Sequence, residues 1–183
     1  MTGGRGMTTV GTTVTFGDAT DRDVEALSGL HAEAAAHLTA IHGEGRWSKP
    51  LILRRIDTVP GRARVRLGRL GEQIVSALRL QTRKPWAIDV GFFTPAARPL
   101  YLTDMVVAVS CQGRGLGRAA LADAHAIARE WPADAIRLDA YDAPAGAGGF
   151  YEKCGYVRRA RVTYKGNPLV YYEMRLDGGT NPR

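Results

Sequence analysis

The sequence predicts an α/β (α+β) fold, a mixed sheet with helices packed on it, and three observations predict it. The chain has 183 residues, 45% of them apolar, which suits one globular domain large enough to bury a real core. Residues 100–109 are rich in β-branched side chains, break into the glycine turn Gly113-Arg114-Gly115-Leu116-Gly117 and open a helix, after which Ile136 to Tyr141 reads as another strand. Two strands joined by a crossing helix are parallel. Elsewhere apolar and polar residues alternate on both sides of short turns, which predicts antiparallel hairpins and therefore a mixed sheet.

Taken in order, residues 1–8 are expected to be a flexible tail, 9–176 a single domain and 177–183 a second tail. Val10 to Phe16 alternates valine and threonine and suits a first strand. Thr20-Asp21-Arg22-Asp23 is a near capping box, and Val24, Leu27, Leu30, Ala34, Leu38 and Ile41 follow at helical steps before Gly43. His31, His37 and His42 ride on that helix, but spacings of six and five put them on different faces, which favours solvated or half-buried histidines over a metal site. Ser48-Lys49-Pro50 reads as the cap and first turn of a short helical segment, Leu51 to Ile56. Arg62 to Leu70 and Glu72 to Gln81 read as a hairpin about Gly71, with Arg62, Arg64, Arg66 and Arg69 mostly facing solvent. Arg83 to Pro99 is long and irregular, either a pocket wall or an apolar lid over the sheet edge. Leu116, Ala120, Ala124, Ile127 and Trp131 then form one apolar stripe, which Pro132 ends. Ala145 to Gly155 reads as a short helix, and Val157 to Tyr164 and Leu169 to Leu176 as strands joined by Lys165-Gly166-Asn167-Pro168.

Composition excludes several classes. The formal net charge is +7, but the arginines are dispersed and no zinc-finger or RNA-recognition signature accompanies them, so nucleic-acid binding is not expected. No apolar run approaches the roughly 18 residues of a membrane span, and the polar start lacks the apolar centre of a signal peptide, so a cytoplasmic location without membrane contact is expected. Cys111 and Cys154 are lone cysteines without metal spacing, which fits a reducing compartment and argues for neither a metal site nor a disulfide framework.

Chemistry starts at the glycine turn. A strand that ends in glycines at a helix start points free N–H groups at one spot, where the helix dipole adds about half a positive charge. Arg114 and Arg118 can add whole charges to what is already a phosphate-binding geometry. It is not a P-loop, because no Gly-Lys-Ser/Thr follows its glycines. Gly115-Leu116-Gly117-Arg118-Ala119-Ala120 fits the dinucleotide pattern G-x-G-x-x-A, with Asp139 about twenty residues on. There, however, the strand runs straight into the first glycine, whereas Ser110 to Arg114 intervene here and only one short helix remains. Gln112-Gly113-Arg114-Gly115-Leu116-Gly117 resembles instead the pyrophosphate-binding motif of GNAT acyltransferases, Q/R-x-x-G-x-G/A. Gly149-Phe150-Tyr151-Glu152-Lys153-Cys154-Gly155-Tyr156 resembles the same family's "lYeklGF" helix and following strand, in the right order and at the right separation.

The resemblance covers roughly residues 100 to 160 and implies the GNAT acyl-CoA N-acyltransferase fold, a mixed central sheet of about six to seven strands with helices on both faces and a splay between the two parallel central strands. It implies acetyl transfer from acetyl-CoA, without a metal, to an amine of a small molecule or protein by direct attack in a ternary complex, in a monomer or homodimer. Carried over by alignment, the pantetheine arm falls on Met105, Val106 and Val107 and the pyrophosphate on Gln112, Gly113, Arg114, Gly115, Leu116, Gly117 and Arg118. Tyr151 falls where the family's general acid sits, able to protonate the leaving sulfur, and is otherwise an aromatic core residue. Asp139 and Asp104, one on each splayed strand, are the two candidates for the base, or else carboxylates that cap strand ends. Trp47 lies in the region that overhangs the family's acceptor site and either lines a substrate pocket or packs on the core. Trp86 and Phe93 are further pocket candidates. Two departures stand out: Val109 where the family often has proline, and Pro144 where it has asparagine, with Asp142 only a displaced substitute. The competing reading is a GNAT-like domain that binds acyl-CoA without turnover, and Tyr151 with two strand carboxylates favours the enzyme.

Overall fold

The structure, a computed structural model, describes residues 13–176. In chain order the elements are β1 (Thr15–Asp18), α1 (Val24–His42), β2 (Ala63–Leu70), β3 (Gln73–Gln81), β4 (Pro99–Val107), α2 (Leu116–Glu130), β5 (Ala135–Tyr141), α3 (Gly148–Lys153), β6 (Val157–Tyr164) and β7 (Asn167–Arg175). The seven strands form one mixed sheet in the order β1-β2-β3-β4-β5-β7-β6. Only β4 and β5 run parallel, as the crossing helix requires. Both expected tails lie outside the described residues.

Alternation along the strands gives the sheet two apolar faces. On one, Leu80, Leu102, Ile136, Leu138 and Tyr172 pack under the Ala120, Ala124 and Ile127 stripe of α2 and under Tyr151 of α3. On the other, α1 brings Leu27 and Leu30 onto Leu67, Val75, Ala77 and Val106. The irregular loop before β4 covers the rest of that face, where Ile88 and Phe93 close over Tyr101 and Tyr171. Tyr171 fastens this lid, donating its hydroxyl to the Ala87 carbonyl and accepting the Asp89 N–H at 3.1 Å.

Three expectations change, two of them because of long-range contacts and one at a local turn. Leu51 to Ile56 is not helical, because partners on and before α1 hold its N–H groups: Leu53 N–H donates to Ser28 Oγ at 3.1 Å and Ile56 N–H to Asp21 Oδ1 at 2.8 Å. Ser48, the expected cap, instead accepts from Gly45 N–H and Thr39 Oγ–H. Arg66 is buried rather than solvated, gripped by both oxygens of Asp123 on α2 at 2.8 Å and by Asp18 at 3.0 Å. The last hairpin turns on Lys165 and Gly166, both with positive φ, so Asn167 and Pro168 already belong to β7.

Charge is also buried at the lid. Glu173 on β7 is fully enclosed and takes Arg137 Nε of β5 at 3.0 Å and Arg159 Nε of β6 at 2.8 Å. Arg137 also donates to the Thr94 carbonyl and lies 4.9 Å from the centre of the Phe93 ring. One carboxylate therefore ties three strands to the lid. Removing its charge leaves guanidinium groups uncompensated in a dry place, so Glu173→Gln is expected to lower unfolding free energy by about 3–5 kcal/mol in urea denaturation at pH 7. A loss under about 1 kcal/mol would mean that the two arginines reach water without it.

Candidate active site

The parallel ladder between β4 and β5 lasts three residues: Pro99, Leu100 and Tyr101 pair with Ala135, Ile136 and Arg137. Past that point β4 bulges, its register against β3 shifts between Ala77 and Arg79, and Asp104 takes φ 55°. A cleft of about 450 Å³ occupies the splay. Asp139 stands two residues beyond the last pair on β5, and Asp104 three beyond it on β4, so the carboxylates sit on opposite lips. Tyr151 of α3 reaches the same cleft, and its hydroxyl donates to Met105 Sδ at 3.6 Å, a weak acceptor. In an unbroken sheet Asp139 and Tyr151 would be on opposite faces; the splay is what brings them together.

Electrostatics divides their roles. Burial, with the negative charge of Asp104 adding to it, holds the Asp139 carboxyl above the ordinary aspartate range. Tyr151 is almost wholly enclosed, and burial, reinforced by Asp139, pushes its hydroxyl above the ordinary tyrosine value. The phenol therefore keeps its proton at neutral pH. Across the cleft, Trp47 donates Nε1–H to the Gly43 carbonyl and meets the Tyr141 ring edge-on at 6.0 Å.

Residues 45–156 match the family described as the acetyltransferase (GNAT) family. The chain belongs to that family. Among solved structures it resembles an N-acetyltransferase from Staphylococcus aureus Mu50 (TM-score 0.63, 14% identity, 90% of this chain and 99% of that chain). It also resembles a Salmonella typhimurium protein solved with its cofactor acetyl-CoA (0.61, 17%, 93% and 98%). A third is the ribosomal-protein-S18-alanine N-acetyltransferase from Escherichia coli (0.61, 14%, 93% and 99%). At these identities the likeness speaks for the fold alone. No curated protein matches the sequence.

In this GNAT chain the glycine turn has the shape of a phosphate cradle. Gly113 (φ 72°) and Gly115 (φ 82°) take left-handed conformations that side chains disfavour, and Gly115 opens α2 with no side-chain cap. The first-turn N–H groups of Leu116, Gly117 and Arg118 have no intrahelical acceptor. At Gly117 a Cβ would lie 3.0 Å from the Phe150 ring, so a side chain there presses on the residue next to Tyr151. Gln112 donates Nε2–H to the Val107 carbonyl at 3.2 Å, clamping the turn to the end of β4. The bulge lies at Asp104, while Val109, which replaces the family's proline, begins a single 3-10 turn, Val109–Cys111.

The other candidates part company. Trp47 lines the cleft, whereas Phe93 is buried on the inner side of the lid and Trp86 is 81% exposed beside a separate groove along β6. Asp142 pairs with Arg161 at 3.0 Å and is not among the cleft residues. Sequence reasoning missed His31, Arg46 and Tyr141, which line the cleft. His31 could have been found as the polar residue on the buried stripe, one turn from both Leu27 and Ala35. No group of three histidine, cysteine or acidic residues among the described residues could hold a metal, and none of their helices is long and apolar enough to cross a membrane.

The raised Asp139 pKa has a measurable consequence for stability. A folded-state value above the unfolded one means that the native state binds more protons, so stability falls as pH rises from the unfolded value, near 3.8, through the folded one. Asp139→Asn is therefore expected to raise Tm at pH 7 and to lose that advantage by about pH 3, where the Asp139 carboxyl is protonated in the folded and the unfolded state alike. Melting curves at the two pH values check it, and a destabilised variant at pH 7 would mean that the carboxylate is paired in the native state.

Proposed function

We propose that the chain is an acetyl-CoA-dependent N-acetyltransferase acting on an amine by direct attack in a ternary complex. What carries the reading is the pairing of a desolvated carboxyl and a protonated phenol on opposite walls of one cleft. The glycine turn, with Arg114 and Arg118, suits the diphosphate of a nucleotide thioester, and the open edge of β4 at Met105, Val106 and Val107 suits its pantetheine arm. The bound thioester supplies an activated acyl carbon, and the chain supplies the proton transfers.

An alkylammonium must first lose a proton, at about 4–5 kcal/mol at pH 7. Asp139 takes it, directly or through water, and its raised pKa makes it a better base than a surface aspartate. Asp104, exposed at the bulge and bonded by Thr103 Oγ–H at 3.1 Å, keeps negative charge at the mouth to attract the cationic acceptor. As the nitrogen–carbon bond forms and the carbon–sulfur bond breaks, Tyr151 exchanges its weak bond to Met105 for one to the sulfur and gives it a proton, and the second proton that the nitrogen sheds on becoming an amide passes through water to restore the phenol. A chain that only bound acyl-CoA would gain nothing from a carboxyl held in so costly a place.

Tyr151→Phe keeps the ring and removes the proton, so kcat is expected to fall by about 10² to 10³ with acetyl-CoA affinity within a few-fold of wild type. Steady-state rates and calorimetry check it. Near-wild-type kcat at saturating substrates would pass the acid role to water.

A further inference from the structure

His31 lies on the inward stripe of α1, one turn from Leu27 and from Ala35, both buried. It lines the active-site cleft together with Asp104 of β4 and Asp139 of β5. The negative charge of Asp104 bears on the titration of both His31 and Asp139, so the three groups share one space. Neither ring nitrogen of His31 has a hydrogen-bond partner among the described residues, and neither is shut off from solvent. Burial holds its pKa below the ordinary histidine value, with Asp104 pulling the other way, and at neutral pH the ring is uncharged. An uncharged imidazole offers one nitrogen lone pair as an acceptor.

Two carboxylates and such an acceptor suit a cation. The trio is not a group that could hold a metal ion, whereas an alkylammonium directs three N–H bonds to acceptors about 2.7–2.9 Å away in three directions. We propose that His31 is an acceptor-binding residue: its imidazole takes one N–H of a primary alkylammonium whose other two N–H groups point to Asp104 and Asp139. The inference rests on the transferase reading. When Asp139 takes its proton, the bond to His31 remains and keeps the nitrogen from turning its freed lone pair away from the acyl carbon. Ala34, Ala35 and Leu38 continue the same wall along α1 and suit an apolar chain on the amine.

The test compares His31→Leu with His31→Gln on propylamine, hexylamine and benzylamine, using acetyl-CoA and thiol detection. The first variant keeps apolar bulk under α1 and removes the acceptor; the second keeps an acceptor oxygen. For the amine that the wild type acetylates best, His31→Leu is expected to raise the amine KM about tenfold, with kcat and the acetyl-CoA KM within a few-fold, and His31→Gln to recover most of that loss. Circular dichroism establishes that both fold. A residue that only packs under α1 gives the reverse order, with His31→Leu tolerated and His31→Gln harmful, and that order overturns the proposal. So does an amine KM that neither variant changes or that both raise alike. If the wild type acetylates none of the amines, the transferase reading fails instead, and calorimetry with the same amines decides the subsite: binding lost in His31→Leu and kept in His31→Gln upholds it, and no binding, or equal binding in all three proteins, overturns it.

Discussion

A hydrogen-bonded sheet separates whatever packs on its two faces, and the site in this chain depends on that separation failing at one seam. β4 and β5 pair for three residues and then part, with the Asp104 bulge turning β4 away. Everything chemical follows from the gap. Asp139 belongs to the lid face and Tyr151 to the α2 and α3 face, yet both reach the same cleft. The unpaired edge of β4 offers backbone groups to a ligand, and the glycine turn at its end offers more.

A seam of this kind weakens the middle of the sheet, and the structure compensates beside it. Glu173 holds Arg137 and Arg159 together across β5, β7 and β6, while Arg66 joins β2 to Asp123 on α2 and to Asp18 at the far edge. The lid, fastened through Tyr171 and Arg137, closes the part of the α1 face that the helix leaves open. These buried charges act at long range in sequence, and their worth lies in fixing where strands and loops sit as much as in net stability.

Local signals carried much of this architecture. The β4, glycine turn and α2 run, the hairpin about Gly71 and the crossing that makes β5 parallel are all readable from periodicity and turn residues, since each depends on neighbours within a few positions. Tyr151, Asp139, Asp104 and Trp47, drawn from the motifs and their surroundings, do converge on the cleft. What stayed hidden depends on partners far along the chain. The capping signal at Ser48 was overruled by Ser28 and Asp21, Arg66 looked solvated until Asp123 was beside it, and Phe93 looked like a pocket residue until the lid folded over Tyr171. His31 was masked by the two other histidines on the same helix.

The central claim is that the splay is a slot for an acyl-CoA whose reacting carbon lies between Asp139 and Tyr151. A crystal structure with the non-reactive thioether analogue of acetyl-CoA tests it most directly. The account predicts the diphosphate on residues 113–118, the pantetheine arm along Met105 to Val107, and the thioether sulfur within hydrogen-bonding reach of the Tyr151 hydroxyl. A ligand bound along the groove beside Trp86, with the splay closed or filled by side chains, would contradict it.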